Sequence, residues 1–225
     1  MQMKTQGRIA IIIGATGLVG SHIVNELLKR QEYSQIRIFV RHNIGLSNEK
    51  LEQQVVNFDK PEEFSSLIVG DDMYCALGTT IRKAGSQENF KKVDLDLPVK
   101  IASIAIKNGI KNFLVVSSIG ADAKSRNFYL RTKGQMEKKI MQIGFEQVFI
   151  VRPSMLLGKR KEFRFVEVVA KILMKAFSFL MLGKLKKYRG IHGRTVAKAM
   201  IRLALTCPSK VIIESDELQK LGSYE

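Results

Sequence analysis

A tyrosine and a lysine four residues apart, Tyr129 and Lys133, are well suited to move a proton. Positions i and i+4 share one face of a helix. A nearby ammonium favours the phenolate and lowers the pKa of a phenol, which can then exchange a proton with a substrate oxygen. Ser117 and Ser118 end an apolar run shortly before the tyrosine, and a serine hydroxyl can hold the same oxygen. We assign Ser118, Tyr129 and Lys133 as catalytic, with Ser117 as a rival to Ser118.

A glycine motif indicates where a nucleotide would bind. Gly14, Gly17 and Gly20 follow the apolar run at 8–13 and open an amphipathic stretch at 18–30. Alone, three glycines fit any tight turn. Between a strand and a helix, they fit a turn that brings backbone N–H groups and the positive end of the helix dipole to a pyrophosphate. The motif therefore predicts dinucleotide binding.

The end of the second predicted strand bears on the choice of nucleotide. NAD binders usually carry an acid there, which accepts a hydrogen bond from the ribose 2′-hydroxyl. This strand ends instead at Arg41, followed by His42. A guanidinium can pair with a 2′-phosphate, although it can equally be an ordinary surface base. We predict NADP(H) as the cofactor and consider NAD(H) the weaker candidate.

The next two strand ends add further candidates. Asp59 either meets the adenine or caps a helix that starts at Pro61, and we favour the cap. After the fourth strand, Leu77 and Gly78 form a small turn whose backbone can run beside the ribose and the phosphates.

Apolar strands alternate with amphipathic helices along most of the chain, which predicts an α/β fold: a Rossmann-like, doubly wound parallel sheet with helices on both faces. We see no linker, so residues 1–225 are predicted to form one domain, with about 155–225 as a small C-terminal extension on the substrate side. The predicted strands are 8–13, 36–41, 53–58, 72–77, 111–117, 146–152 and 211–213, and the predicted helices are 18–30, 61–67, 88–108, 127–143, 161–181 and 192–205.

The charge is strongly positive and uneven. The net charge is +16; residues 1–112 hold 15 Lys or Arg and 12 Asp or Glu, whereas residues 113–225 hold 22 and 9. This excess attracts anions: a nucleotide, an acidic protein or an anionic membrane surface, and it also fits a merely solubilising surface. We find no nucleic-acid-binding motif. Cys75 and Cys207 lack metal-ligand spacing, so we predict reduced thiols and no metal.

The apolar stretch at 163–182 is too interrupted by charge to span a membrane. If this stretch is a helix, its apolar face could pack against the core or against a second copy of the chain in a homodimer. Because it also carries lysines, a helix lying on a membrane surface is an alternative. The first seven residues contain no apolar segment of a signal peptide. We therefore predict a cytoplasmic protein.

Several blocks of sequence occur together in a recognisable order. They are Gly14-Ala-Thr-Gly17, Cys75-Ala-Leu-Gly-Thr-Thr80, Ser117-Ser-Ile-Gly-Ala-Asp122, Asn127-Phe-Tyr-Leu-Arg-Thr-Lys-Gly134 and Arg152-Pro153. With them the chain resembles an atypical short-chain dehydrogenase/reductase, most closely the Tat-interacting oxidoreductase-like family. The resemblance implies a Rossmann fold that binds NADPH, with cofactor contacts at Thr16, Gly17, Leu18, Val19, Arg41, Leu77, Gly78, Tyr129, Lys133, Leu156 and Arg164. Gly14, Gly20 and Ser117 complete the predicted cofactor site.

The chain departs from that pattern at two positions. His42 replaces what is often a second arginine, and Asp94 stands where many extended reductases carry asparagine. The predicted function is an NADP(H)-dependent oxidoreductase acting on an unidentified small-molecule carbonyl or hydroxyl substrate. Two alternatives stay open: a regulatory or scaffold protein that senses NADPH without chemistry, and an epimerase-like enzyme on a sugar nucleotide, for which the chain is short.

Overall fold

A computed structural model describes residues 7–158 and 183–223 of the chain. Its main feature is a seven-stranded, fully parallel sheet in the order β3-β2-β1-β4-β5-β6-β9. This order confirms the predicted doubly wound sheet. The strands are β1 (Arg8–Ile13), β2 (Tyr33–Val40), β3 (Leu51–Val55), β4 (Asp72–Cys75), β5 (Asn112–Val116), β6 (Gln147–Arg152) and β9 (Ile212–Glu214), while β7 (Leu156–Leu157) and β8 (Ile191–His192) form a separate pair.

Helices cover both faces of the sheet because the strands bury alternate residues on opposite sides. In β1, Ala10 and Ile12 join one apolar cluster, whereas Ile11 and Ile13 join the other. The α-helices are α1 (Leu18–Leu27), α2 (Ile81–Ala84), α3 (Gln87–Lys91), α4 (Leu97–Lys107), α5 (Phe128–Met141), α6 (Gly193–Thr206) and α7 (Ser215–Ser223). The first apolar cluster contains residues of α1, α6 and α7, and the second contains residues of α4 and α5.

Strand β1 lies between β2 and β4, so the connections leaving β1 and β4 run to opposite sides of the sheet. In open parallel sheets, ligands bind in the crevice that this reversal opens at the carboxyl ends of the strands. The Gly14 turn after β1 and the Ala76–Thr79 loop after β4 border that crevice. The topology therefore positions the candidate site at the end of the sheet where the glycine motif lies.

The predicted helix at 88–108 is interrupted. A π-helical segment, Lys92–Asp96, stands between α3 and α4. The Ser86 side chain caps α3 by accepting a hydrogen bond from the Asn89 N–H. The hydrophobic pattern of the sequence is that of one continuous amphipathic helix. The one extra residue that makes a helical turn π-helical does not change this pattern enough to be recognised. The short α7 and the β7–β8 pair were also not predicted, and the predicted helix at 161–181 lies outside the described residues.

The predicted cap at Asp59 is wrong. Residues Pro61–Leu67 form a 3-10 helix whose N-cap is Lys60, without a side-chain capping bond. Asp59 instead lines the crevice at the strand ends. Within 7–158 and 183–223, none of the helices has the length and apolar character that crossing a bilayer requires.

A buried polar cluster joins strands at the opposite, amino-terminal end of the sheet. Asp72 is fully buried and accepts hydrogen bonds from Arg8 (2.6 Å), Tyr33 (2.6 Å) and Asn112 (2.7 Å). The hydroxyls of Tyr33 and Tyr74 are 2.9 Å apart. Burial, followed by the negative charge of Asp72, raises the pKa of Tyr33, and burial raises that of Tyr74 well above its ordinary value. Both phenols therefore stay protonated around this carboxylate.

Replacing Asp72 with alanine is expected to cost about 3 kcal/mol of unfolding free energy, the scale for removing one partner of a buried ion pair. Arg8, Tyr33 and Asn112 would each lose their acceptor. Urea unfolding of Asp72→Ala measures this loss. Glu49→Gln, an exposed acid on a surface loop, is the control and should leave the midpoint unchanged. An unchanged midpoint in Asp72→Ala would show that the cluster does not stabilise the sheet.

Candidate functional site

The glycine turn brings three stretches of backbone into close contact. Gly14 has φ +85°, and a Cβ there would lie 2.6 Å from the carbonyl carbon of Ala76 in the loop after β4. A Cβ on Gly20, in the first turn of α1, would overlap the carbonyl oxygen of Gly14. The helix can therefore approach the strand end this closely only because position 20 has no side chain.

The beginning of α1 is open to an anion. Gly17 is the N-cap and provides no side-chain hydrogen bond to the first turn. The first N–H groups of a helix have no partner within the helix, and they carry the positive end of its dipole. In this chain Thr16 and Gly17, which lead into the helix, line the crevice. A phosphate group fits this cradle.

The crevice is a cleft of about 1090 Å³ at the carboxyl ends of the strands. Arg41 and His42, both exposed, stand on its rim where β2 ends, and the end of that strand carries no acidic residue. Asp59 lies in the wall formed after β3. Six of the predicted cofactor residues line this one cleft: Gly14, Thr16, Gly17, Arg41, Leu77 and Gly78.

Helix α5 carries the candidate catalytic pair. Asn127 caps its first turn by accepting a hydrogen bond of 3.1 Å from the Leu130 N–H. Lys133, one turn into the helix, is buried, and its ammonium lies 2.8 Å from the Asp94 carboxylate and 3.4 Å from the Val116 carbonyl oxygen. The ammonium therefore sits beneath the ends of β4 and β5.

Burial is the largest single influence and would lower the pKa of Lys133, but the charge and hydrogen bond of Asp94, together with smaller contributions from Tyr129 and Cys75, outweigh it. The pKa of Lys133 is therefore raised, and the side chain is a cation at neutral pH. Tyr129 is half-buried, and its ring lies 5.7 Å from the ring of Phe90 in α3. Tyr129 and Lys133 are four residues apart in α5 and therefore lie on the same face of the helix.

The two serines have different surroundings. The Ser117 hydroxyl is buried and donates a hydrogen bond to Glu137, which pairs with Arg152 through Nε at 3.0 Å and through a second guanidinium nitrogen. Ser118 is half-buried, and the contact that its hydroxyl makes with the described part of the chain is a long one, 3.4 Å from the Ile119 carbonyl. The Ser117 hydroxyl is therefore engaged in a structural network, while that of Ser118 is held less tightly.

The other described residues of the predicted site are not among those that line the cleft; they are Leu18, Val19, Gly20, Ser117, Ser118, Tyr129, Lys133 and Leu156. Val19 is buried in the core, and Leu18 reaches towards Gly158 and Gly193. Leu156 pairs with Ile191 in the short second sheet and packs against the core, away from the cleft. Arg164 lies outside the described residues.

Sequence reasoning missed the buried acids. Asp94 was noted only as a departure from a pattern, and Glu137 was not singled out, yet each holds a cation at the strand ends. The signal available was a carboxylate among apolar neighbours in a helix. That sequence pattern does not show which cation, on which other helix or strand, will form an ion pair with the carboxylate.

Comparison with known proteins supports the binding of a nicotinamide dinucleotide. Residues 14–173 match the model of a family described as NAD(P)H-binding. The chain belongs to this family. It is 36% identical to Protein HTATIP2 of Rattus norvegicus over 165 residues, covering 72% of this chain and 68% of that protein. It is 40% identical to the mitochondrial protein FMP52 of Candida albicans over 156 residues, covering 67% and 68%.

A solved structure shows the same fold. The Bordetella bronchiseptica enzyme WbmH in complex with NAD+ superposes with a TM-score of 0.69 at 14% identity, covering 92% of this chain and 75% of that one. At this identity the likeness concerns the fold alone. Together with the seven-stranded sheet, it confirms the Rossmann-like fold. The family resemblance is confirmed by the family model and the two relatives, not by this structure.

The predicted cytoplasmic location is contradicted. FMP52 relatives from several fungi carry the word mitochondrial in their names. The prediction depended on the lack of an apolar signal-peptide segment. That segment serves secretion, so its absence does not distinguish the cytosol from an organelle.

Replacing Gly20 with alanine should abolish binding of NADPH, because the new methyl group would overlap the Gly14 carbonyl and separate α1 from the turn. Isothermal titration at neutral pH measures the affinity, and circular dichroism checks that the variant is folded. Ser21→Ala, one residue further along α1, should bind as the wild type does. A folded Gly20→Ala protein with unchanged affinity would show that the close approach is not needed for binding.

Proposed function

We propose that this protein is an NADP(H)-dependent oxidoreductase acting on a carbonyl or hydroxyl group of a small molecule. The observation that carries the proposal is the position of Lys133: a buried cation at the ends of β4 and β5, one helical turn from Tyr129. A buried charge is costly unless it is paired. Its place beside a phenol and under a nucleotide-binding loop favours chemistry over a purely structural role.

The residues present fit a dinucleotide. Side-chain-free positions at Gly14 and Gly20 leave the cradle open, and the uncapped beginning of α1 offers N–H groups to the pyrophosphate. A nicotinamide supplies hydride to a carbonyl carbon or accepts it from an alcohol carbon. The protein then has to bind and orient the substrate oxygen and to supply or remove one proton.

Three side chains perform that task in our proposal. Tyr129 gives a proton to the carbonyl oxygen during reduction, or takes one from the hydroxyl during oxidation. Ser118 donates a hydrogen bond to the same oxygen and orients it. Lys133 places a positive charge one helical turn from Tyr129 and holds the nicotinamide ribose. Ser117 keeps α5 and β6 together through Glu137.

The preference for NADP(H) depends on Arg41. It stands at the cleft rim where β2 ends, at the position in which NAD binders present an acid. An exposed guanidinium there can pair with a 2′-phosphate, and no carboxylate follows it on the strand end to repel the phosphate. His42 beside it can add a further hydrogen bond.

The variant Arg41→Ala should weaken NADPH binding about tenfold or more and leave NADH binding nearly unchanged, because one charge-assisted contact is lost. Fluorescence titration with each nucleotide measures the two affinities. Lys111→Ala, a surface lysine at the amino-terminal end of β5, has the same change in net charge and should bind both nucleotides as the wild type does. Equal weakening for both nucleotides would contradict a 2′-phosphate contact.

The variant Tyr129→Phe should retain NADPH affinity and lose turnover by about 10² or more, the usual scale for a removed acid or base. Oxidation of NADPH is followed by its near-ultraviolet absorbance with a panel of aldehydes and ketones, first with the wild type. Turnover that persists in Tyr129→Phe would eliminate Tyr129 as the proton donor. NADPH binding without oxidation by any carbonyl in the panel would favour the alternative, a nucleotide-sensing regulatory or scaffold protein.

A further inference from the structure

The carboxylate of Asp94 connects two parts of the site. One oxygen lies 2.8 Å from the Lys133 ammonium, and the other accepts a hydrogen bond of 2.9 Å from the Thr79 backbone N–H. Thr79 belongs to the loop after β4 that lines the cleft, and Lys133 belongs to α5. Asp94 therefore joins the nucleotide-facing loop to the helix that carries the catalytic pair.

The helix is distorted where Asp94 lies. It is the central residue of the π-helical segment Lys92–Asp96. Lys92 and Asp96 are exposed at the two ends of this segment, whereas Asp94 is only 1% exposed. A π-helical turn is rare, occurs mostly as a single-turn insertion in an α-helix, and is frequent at functional sites. Here it places a carboxylate among buried groups, where it would be costly without the cation it meets.

We propose that Asp94 is a positioning residue: it holds the Lys133 ammonium with one oxygen and the cofactor-facing loop with the other, and so keeps the cation in place for the nucleotide and for Tyr129. The role given to Lys133 in this inference rests on the proposed function. The contacts that Asp94 makes with Lys133 and Thr79 do not depend on it.

The surroundings of Lys133 show why the acid is needed. Three titratable groups face the ammonium: Asp94 from the π-helical segment, Tyr129 from α5 and Cys75 from β4. Burial raises the pKa of Cys75 to about 11, so this thiol is neutral at pH 7. Among the described residues, Asp94 has the one carboxylate within ion-pair distance of Lys133. Without it, burial would act unopposed and favour the uncharged amine.

Two variants separate the charge of Asp94 from its hydrogen bond. The amide oxygen introduced by Asp94→Asn can still accept from the Thr79 N–H, but the amide has no charge for Lys133. Asp94→Ala loses both interactions. Glu88→Gln is the matched control, because Glu88 is an exposed acid on the preceding helix that pairs with Lys92 and lies outside the cleft lining.

The first measurement is the titration of Lys133 itself, by NMR of protein labelled with ¹³C at the lysine ε-carbons. The Lys133 signal is identified by its absence in Lys133→Arg. In the wild type and in Glu88→Gln it should titrate above the ordinary lysine range. In Asp94→Asn its midpoint should fall by about two pH units or more, as documented for buried lysines. Equal midpoints in the wild type and Asp94→Asn would overturn the inference.

The second measurement is NADPH affinity between pH 7 and pH 9. Wild-type affinity should stay level, whereas that of Asp94→Asn should fall about tenfold as Lys133 loses its proton, the scale of one charge-assisted hydrogen bond. In a Lys133→Met background, adding Asp94→Asn should change the affinity by less than about twofold. Tenfold loss in that background would show that Asp94 acts independently of Lys133 and overturn the inference.

If Asp94→Asn alone does not fold, the double variant Asp94→Asn/Lys133→Met, which buries no unpaired charge, should fold. A double variant that stays unfolded would show that the role of Asp94 does not depend on Lys133 and overturn the inference. The two proposals can fail separately. A wild type that binds no NADPH at pH 7 would overturn the proposed function, while the lysine titration would still decide the role of Asp94.

Discussion

The absence of a side chain at position 20 is the constraint on which the site depends. The Gly14 carbonyl oxygen occupies the space that a Cβ of residue 20 would need, and the Gly14 turn itself presses against Ala76 after β4. As a result α1 begins a short turn after the carboxyl end of β1, and Thr16 and Gly17, which lead into it, line the cleft. The reversal of the sheet between β1 and β4 provides the space for this cleft.

Charge is distributed differently at the two ends of the sheet. At the amino-terminal end, Asp72 accepts hydrogen bonds from three side chains and lies outside the lining of the cleft. At the carboxyl end, Lys133 is held by Asp94, and Arg152 is held by Glu137. The polar cluster around Asp72 stabilises the sheet. Lys133 and Arg152, by contrast, stand next to the loops that form the site.

Much of the fold could be predicted from local sequence. Runs such as Ile9–Ile13 and Phe113–Val116 are apolar on both faces, which identifies strands of a parallel sheet, and the glycines mark the turn after β1. The cleft then follows from topology, so Gly14, Thr16, Gly17, Arg41, Leu77 and Gly78 could be placed together in advance. These residues all lie at strand ends, where chain order and strand order determine position.

The interactions between elements could not be predicted in this way. The ion pair of Asp94 and Lys133 joins residues 39 positions apart and depends on one extra residue in a helical turn, which periodicity does not reveal. Ser117 and Ser118 are identical in type, and only the direction of each side chain from the end of β5 separates them. Asp59 is likewise not a helix cap, because the 3-10 helix begins at Pro61 and its N-cap is Lys60. The sequence alone does not show which of these two residues precedes the first turn.

We propose that this cleft binds NADP(H) in preference to NAD(H), as the basis for redox chemistry at Tyr129. Titration of the wild-type protein with NADPH and with NADH, followed by cofactor fluorescence at physiological salt, tests it most directly. The account predicts saturable binding of both reduced cofactors, with NADPH at least about tenfold tighter through its 2′-phosphate. Equal affinities, tighter NADH binding or no binding of either nucleotide would contradict it.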